Sequence, residues 1–318
     1  MSRFSFVVPC YNAASTIPDT LTSLLGQSIP AEVIVVDDGS TDGLDAALAP
    51  FLGRIQLLRQ ENRGRSAARN AALERATGEF IVPVDADDTV APDYLERVEA
   101  SLRITPDADV LVPDTLFVGD HPWSGELESV HRPFDMPVTV SSFLANRAPG
   151  MGRGIFRASL LRTIGGWDSR YPRSQDWDLA LRMIVVGAQV VSCHGAVYQW
   201  LQYGSERNRG VGRQQRMFSA HSIANVLREL PVSERDRAVL QAELVMLQRE
   251  QAMLALRGAL ESGQSGVFRD AVASLQKLGL PSDAPGWMRL LGRLGSRSAP
   301  ATFSMLRLAL RLRPTQSA

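Results

Sequence analysis

The sequence predicts an α/β fold, in which a mostly parallel sheet is flanked by helices and followed by a helical C-terminal extension. Short apolar runs rich in β-branched residues alternate with helical patterns near the N-terminus, and polar residues cluster directly after each run. From about residue 214 onward the pattern is almost wholly helical. Alternation of this kind is typical of parallel strands joined by crossover helices. We therefore predict an α/β domain over residues 1–213, divided near residue 103, and a helical region over 214–318.

The first part of the chain is predicted to have the order β-α-β-α-β-α-β. Its strands are expected at residues 4–8, 32–36, 55–58 and 80–84, where the apolar runs are short and bounded by turn residues. Ser15 or Thr16 can cap the first helix, whose leucines 21, 24 and 25 share one face. An alanine-rich helix over 66–76 precedes the fourth strand and ends before Gly78.

Beyond Asp88 the alternation of strand and helix patterns is less regular. We predict a helix over about 92–102, a strand over about 109–117, and then a polar excursion that ends near Gly154. A helix over 176–186 and a strand over 189–192 follow. In the C-terminal region, leucines between residues 240 and 256 predict a long amphipathic helix, which the glycines of 263–266 interrupt.

Composition excludes several classes of protein. The 318-residue chain has 34 basic and 34 acidic residues, so nothing in its net charge attracts nucleic acid, and no nucleic-acid partner is expected. Its two cysteines, Cys10 and Cys193, form neither a metal-type spacing nor a disulfide framework. The first apolar run is too short for a signal peptide, and polar side chains interrupt residues 183–205. A cytoplasmic location is therefore expected.

Polar clusters follow all four predicted strands, where an open parallel sheet forms its ligand crevice. The clusters lie at 9–12, 37–40, 62–65 and 85–88. Taken singly, each is typical of a turn or a helix cap. Asp85, Asp87 and Asp88 are different, because three carboxylates within four residues repel one another unless they share a cation. Hard oxygen ligands favour Mg²⁺ or Mn²⁺, which proteins usually bind together with substrate phosphates.

Other phosphate-binding devices are missing from the sequence. Lys277 is the sole lysine, so a lysine-containing P-loop is excluded, and no Gly-x-Gly-x-x-Gly follows the first strand. The Gly-x-Ser-x-Gly motif of a nucleophile elbow is also absent. A metal that bridges a diphosphate to aspartates remains the candidate chemistry.

Six motifs together resemble the family 2 nucleotide-sugar glycosyltransferases of GT-A fold. They lie in the family's order at residues 5–12, 35–42, 62–70, 85–88, 165–168 and 175–178, and the likeness covers roughly residues 3–205. The resemblance implies a Rossmann-like, mostly parallel sheet and an inverting, metal-dependent transfer of a sugar from a nucleoside-diphosphate sugar, with UDP-sugars favoured. The chain after about Arg216 carries no motif of this family.

The resemblance also implies roles on the donor side. Pro9 and Tyr11 would line the base pocket, Asp38 would accept a hydrogen bond from the base edge, and Asp87 would bind the Mg²⁺ or Mn²⁺ ion on the diphosphate. The other residues implied in nucleotide binding are Gly64, Arg65, Arg69 and Asp85.

On the acceptor side, Asp176 matches the position of the family's general base. Its neighbour is Gln175, where the family usually has an acidic residue. Possible diphosphate contacts after the last strand are Ser205, Arg207 and Arg209, and Tyr203 stands where a histidine is expected. Possible sugar or acceptor contacts are Asp88, Trp167 and Trp177, although either tryptophan is equally expected in the core.

The implied acceptor is a hydroxyl of a glycan, of a lipid-linked molecule or of a small molecule. The arginine-rich, amphipathic segment 287–313 allows peripheral contact with a membrane, and packing on protein is at least as plausible. Two alternatives remain open: a non-catalytic nucleotide-binding scaffold, or, less favoured, a sugar-phosphate nucleotidyltransferase. The oligomeric state is not predicted.

Overall fold

The computed structural model describes residues 2–128, 136–145, 150–172, 174–202, 211–262 and 264–278. The chain forms two compact units, of which the first ends at Asp236 and the second begins at Arg237. The boundary predicted after residue 213 therefore lies inside the first unit. Helix Val211–Glu229 belongs to that unit because Ser222 donates a 2.6 Å hydrogen bond to the buried carboxylate of Asp178.

The first unit is built on one sheet. Its strands are β1 (Phe4–Cys10), β2 (Glu32–Asp37), β3 (Gln56–Arg59), β4 (Phe80–Pro83), β5 (Thr89–Val90), β6 (Val110–Gly119), β7 (Ile155–Arg157) and β8 (Val190–Gln202). Within the described residues their order is β3-β2-β1-β4-β7-β6-β8-β5. Strands β1 to β4 pair in parallel, and so do β6 and β8, whereas β7 is antiparallel to β4 and β6, and β5 to β8. The predicted mostly parallel sheet is confirmed.

Helices cover this sheet and form the C-terminal region. The described helices are α1 (Ile17–Leu25), α2 (Leu44–Leu48), α3 (Arg65–Arg75), α4 (Tyr94–Ile104), α5 (Val140–Leu144), α6 (Ala158–Thr163), α7 (Gln175–Val185), α8 (Val211–Glu229), α9 (Glu234–Ser262) and α10 (Ser265–Leu278). A short 3₁₀ turn at Met151–Arg153 precedes β7.

The N-terminal strands are continuous apolar runs because both faces of this part of the sheet are covered. Phe4 lies in one core with Leu21 and Leu24 of α1, and Val7, which points to the opposite face, is also fully buried. Helix α1 begins where Pro18 fixes a helical φ within its first turn. This burial on both faces explains why the predicted strands lie within two residues of the observed ones.

Five short elements give no signal in the sequence. Strands β5 and β7 and helices α2, α5 and α6 contain two to six residues each. Segments of this length are too short to show a hydrophobic period. Their positions are set by pairing with longer strands and by packing on longer helices.

Strand β8 is much longer than the predicted strand at 189–192. Its pairing with β6 shifts register, so that Pro113 lies opposite Cys193 but Asp114 lies opposite Val197. Gly195 in this bulge has φ +83°, and its N–H donates a 2.7 Å hydrogen bond to the Asp114 carboxylate. The bulge contains the exposed His194 and the glycine, which interrupt the apolar alternation, and this is why the pattern indicates a strand end at residue 192.

The second unit is helical, as the sequence predicts. Helix α9 ends at Ser262 and α10 begins at Ser265, so the break predicted at 263–266 is confirmed. The two helices share a small core of Leu256, Leu260, Phe268 and Val272. The basic segment 287–313 lies outside the described residues. In the part of the chain that is described, no helix has the length and apolar character needed to cross a membrane.

We expect both cysteine thiols to resist modification in the folded protein. Cys10 and Cys193 are 1% and 0% exposed, and burial, the largest cause in each case, raises the pKa of Cys10 to about 12 and that of Cys193 to about 11. At pH 8 the thiolate fraction of Cys10 then falls about a thousandfold below that of an exposed thiol. Titration with Ellman's reagent should find no fast-reacting thiol in buffer and two in 6 M guanidinium. A rapid reaction of the native protein would contradict this prediction.

Candidate active site

The loops after β1 and β2 are joined by hydrogen bonds at the carboxyl ends of these strands. The N–H of Asn12 donates to Ser40 Oγ at 3.0 Å, and its side-chain oxygen accepts from the N–H of Thr41 at 2.8 Å. The carboxylate of Asp42 accepts from the N–H of Ala14 at 2.8 Å. Asn12 has φ +51°, a conformation that asparagine tolerates better than most residues. The two polar clusters thus form one rigid surface.

Asp38 fastens a third loop to this surface. Its buried carboxylate accepts hydrogen bonds from Gln60 Nε2 at 2.6 Å, from the N–H of Arg63 at 2.9 Å and from the N–H of Gly64 at 2.8 Å. Gly64 has φ +87°, which suits glycine and directs its N–H to Asp38 as α3 begins. Asp38 therefore holds the loop before α3 in place beside the predicted base pocket. Its Oδ2 accepts one of these bonds and retains capacity for one more donor, so the predicted contact with a base edge stays a prediction.

Pro9 and Tyr11 lie at the end of β1 and in the loop that follows it, next to Asn12. Pro9 is partly buried at the end of β1, and Tyr11 is 52% exposed, an unusual exposure for a large aromatic side chain. An exposed aromatic face suits stacking on a nucleobase.

Three carboxylates follow β4. Asp85, Asp87 and Asp88 offer oxygen atoms that all lie within 4.8 Å of one another. Asp88 is buried, and it accepts hydrogen bonds from Tyr198 Oη at 2.7 Å and from the N–H of Leu201 at 2.9 Å. Burial and then the charge of Asp85 raise the pKa of Asp88 to about 8. This carboxylate is turned inward and anchors β8, and the predicted contact of Asp88 with sugar or acceptor stays a prediction.

Arg69 joins two parts of the site. Its side chain is 4% exposed, and its two terminal nitrogens donate to Asp85 Oδ1 at 2.8 Å and to Asp176 Oδ1 at 2.7 Å. Arg65, one turn earlier on α3, lies 3.4 Å from Asp85 Oδ2. Burial favours a neutral Asp85, but Arg65 and Arg69 outweigh it and lower the pKa of this carboxyl. Arg69 thus lies between two carboxylates, and its implied part in nucleotide binding stays a prediction.

Asp176 is placed by the first turn of α7. Ser174, just before that turn, has φ +64°, and the helix N-terminus favours a negative charge at this position. The side chain of Asp176 is 36% exposed. A Cβ on Gly152 would lie 2.7 Å from the Cβ of Asp176, so only glycine permits this approach. Gln175, by contrast, is buried, and its Oε1 has no hydrogen-bond partner in the described structure.

The glycine-rich loop before α7 is docked on α3. The side chain of Asn70 donates to the carbonyl of Trp167 at 2.7 Å and accepts from its N–H at 2.9 Å, and Gly166 leaves no room for a Cβ beside Asn70. The indole of Trp167 is 1% exposed, which favours the core over a sugar platform. Trp177 is half-buried against Phe143, with ring centroids 5.2 Å apart.

Three site residues could not be found from the sequence. Tyr198 belongs to the part of β8 beyond the bulge, and Gly152 precedes β7, which gives no sequence signal. Arg153 bonds Thr115 Oγ1 at 3.0 Å, stacks 4.9 Å from the ring of Trp200 and helps to lower the pKa of Asp85. The predicted contacts Ser205, Arg207 and Arg209, with Tyr203, lie outside the described residues.

Comparison with known proteins gives consistent matches. Residues 5–158 match the family model for glycosyl transferase family 2. An uncharacterised glycosyltransferase of Escherichia coli, YibD, is 36% identical over 114 residues, which are 34% of this chain and 33% of that protein. The putative teichuronic acid biosynthesis glycosyltransferase TuaG of Bacillus subtilis is 44% identical over 98 residues, 29% of this chain and 39% of TuaG. The chain thus spans about a third of the length of these relatives.

A longer match is to the PGL/p-HBAD biosynthesis glycosyltransferase of Mycobacterium tuberculosis, which is 28% identical over 240 residues, 73% of this chain and 85% of that protein. Among solved structures, S. aureus TarS 1–349 in complex with UDP has a TM-score of 0.64 at 20% identity, covering 96% of this chain and 89% of TarS 1–349. Mannosyltransferase PcManGT from Pyrobaculum calidifontis, in complex with GDP-Man and Mn²⁺, has a TM-score of 0.55 at 21% identity. The match covers 96% of this chain and 87% of PcManGT. These structures show that the fold is shared.

Proposed function

We propose that this chain, whose residues 5–158 match the family model for glycosyl transferase family 2, transfers a sugar from a nucleoside-diphosphate sugar to a hydroxyl group of an acceptor. One observation carries the proposal. Asp85 and Asp176, which lie far apart in the sequence, meet around the buried Arg69, and Asp87 lies beside Asp85. A donor-side carboxylate group and a partly exposed base are the two parts that such a transfer needs.

The proposed reaction is a single displacement. Asp176 accepts the proton of the acceptor hydroxyl while that oxygen forms a bond to the anomeric carbon. The bond from the anomeric carbon to the diphosphate oxygen breaks on the opposite face, and the nucleoside diphosphate leaves with the electron pair. Because attack and departure occur on opposite faces, the configuration at the anomeric carbon is inverted.

The acidic group fits a divalent cation. We assign the metal to Asp87, the position that the family resemblance implies, and Asp85 and Asp88 offer carboxylate oxygens beside it. Three carboxylates with oxygens within 4.8 Å of one another suit Mg²⁺ or Mn²⁺. Such an ion would supply positive charge to the leaving diphosphate.

We propose a UDP-sugar as the donor and a glycan, lipid-linked or small-molecule hydroxyl as the acceptor. TarS, which shares the fold, is known in complex with UDP and with UDP-GlcNAc. TuaG is named for teichuronic acid biosynthesis, and that relative supports a bacterial glycan as acceptor. The predicted cytoplasmic location, possible diphosphate contacts and membrane contact through 287–313 remain part of this proposal.

Ligand-dependent thermal unfolding tests the donor and the metal together. We expect UDP with Mn²⁺ to stabilise the unmutated chain by about 2.7 kcal/mol at a concentration of a hundred times its Kd. UDP without metal, and GDP, dTDP or CDP with metal, should stabilise it less. Asp87→Ala should abolish the effect of the metal, whereas Asp93→Ala, which removes an exposed carboxylate at the start of α4, should retain it.

Stabilisation of Asp87→Ala equal to that of the unmutated chain would exclude Asp87 as the metal ligand. A chain that binds UDP but turns over no donor with any acceptor, or with water, would favour the alternative function, a nucleotide-binding scaffold.

A further inference from the structure

Arg69 is enclosed on every side that the structure describes. Its two terminal nitrogens donate to Asp85 and Asp176, and its guanidinium carbon lies 5.6 Å from the ring centroid of Trp167. Its Nε is buried without a partner among the described residues. A planar guanidinium fixes the direction of each N–H bond, so Arg69 determines where both carboxylates lie.

Arg69 is distinguished from Arg65 by the second carboxylate. The two arginines are four residues apart on α3, and both reach Asp85. Arg65 is 53% exposed, and the described contacts take it to Asp85 alone. In the part of the chain that is described, Arg69 is the side chain that donates hydrogen bonds to both Asp85, after β4, and Asp176, on α7.

The two oxygens of Asp176 have different surroundings. Arg69 occupies Oδ1 at 2.7 Å. Gly152 lies beside Oδ2, from which a Cβ at position 152 would be 3.6 Å away. Gly152 therefore lets the backbone approach Asp176 closely, Arg69 holds Oδ1, and the side chain of Asp176 as a whole is 36% exposed.

We propose that Arg69 is a positioning residue, which holds Asp176 through Oδ1 so that Oδ2 faces the acceptor hydroxyl, and which ties this base to the donor-binding Asp85. The inference rests on the proposed glycosyl transfer. In that reaction the acceptor O–H bond breaks and the proton moves to Oδ2, after which it is released to solvent. Arg69 keeps its charge throughout and contacts neither the donor sugar nor the acceptor.

The test compares substitutions at two arginines that share Asp85. Arg69→Gln removes both ion pairs, and Arg69→Lys keeps the charge but reaches one carboxylate. We expect kcat for UDP-sugar turnover to fall about a hundredfold in Arg69→Gln and about tenfold in Arg69→Lys, because small displacements of a base have large effects on rate. The KM for the donor should stay within about threefold. Arg65→Gln should show the opposite pattern, a raised KM with kcat retained.

Arg182→Gln controls for a purely structural effect. Arg182 is 12% exposed, bonds Asp178 and donates to the carbonyls of Ile164 and Gly166 without touching Asp85 or Asp176 in the described contacts. Its replacement should lower Tm while kcat, measured well below that Tm, is retained. If Arg69→Gln does not fold, Arg69→Lys decides the question.

Full kcat in Arg69→Lys would overturn the inference, because charge alone would then suffice. A raised KM with unchanged kcat would overturn it too, because Arg69 would then act through donor binding. Either result leaves glycosyl transfer intact as long as the unmutated chain turns over the donor. No turnover by the unmutated chain would overturn the proposed function and the role of Arg69 with it.

Discussion

Replacement of Asp176 with asparagine is expected to lower kcat by about 10²- to 10⁴-fold, the contribution usual for a general base. Asparagine keeps the shape of the side chain and an oxygen for Arg69, but it cannot accept the acceptor proton. Binding of UDP should change by less than about threefold, because Asp176 is proposed to act on the acceptor and not on the nucleotide. Turnover of a UDP-sugar, with water or a glycan as acceptor, and calorimetric titration with UDP measure the two quantities.

Asp178→Asn is the matched control, two residues along the same helix. Asp178 is buried, accepts from Arg182 Nε at 2.8 Å and from Ser222 Oγ at 2.6 Å, and makes no described contact with Arg69. Its replacement should lower the free energy of unfolding by about 2 kcal/mol and leave kcat of the folded protein near that of the unmutated chain. Asp176→Asn with undiminished kcat would remove the proposed base.

Replacement of Asp38 with alanine is expected to destabilise the first unit by about 3 to 5 kcal/mol. Three donors, from Gln60, Arg63 and Gly64, lose a buried charged acceptor at once, and the loop before α3 loses its attachment. The same change should abolish UDP binding at millimolar concentration, because that loop is proposed to form a wall of the nucleotide pocket. Urea unfolding followed by circular dichroism measures the first effect, and calorimetry the second.

Asp42→Ala provides the comparison for Asp38. Asp42 is exposed and accepts one backbone hydrogen bond, from Ala14. Its loss should lower the free energy of unfolding by no more than about 1 kcal/mol. Equal destabilisation by the two substitutions would show that Asp38 does not fasten the loop as the structure indicates.

The sequence predicts the donor half of the molecule well because that half has strong local signals. Strands β1, β2 and β4 are mostly apolar and buried, β3 is short, and each of the four is followed by a polar cluster. Their parallel order and the position of the site at their carboxyl ends can therefore be inferred. The acceptor half gives weaker signals. Strand β7 has three residues, and the bulge around Gly195 hides most of β8, so the arrival of Tyr198 at Asp88 could not be foreseen.

The resemblance predicts candidate site residues, but it does not predict the contacts between them. Asp176 lies 107 residues from Arg69 in the sequence, and no periodic pattern predicts an ion pair between residues so far apart. Asp38 and Asp88 both follow strands, and residues at such positions are typical ligand contacts. Their burial depends on donors from distant loops and on β8, which only the folded chain brings together.

The pairing of β8 has a practical consequence for shortening this protein. The segment that matches the family, residues 5–158, ends just after β7 and omits β8. A chain cut there would leave β6, over Val110–Gly119, with an unpaired backbone along one side, and an open edge of that length invites aggregation. Asp88 would also lose the hydroxyl of Tyr198. We therefore expect any truncation before Gln202 to yield insoluble material, even though it keeps the recognisable family segment intact.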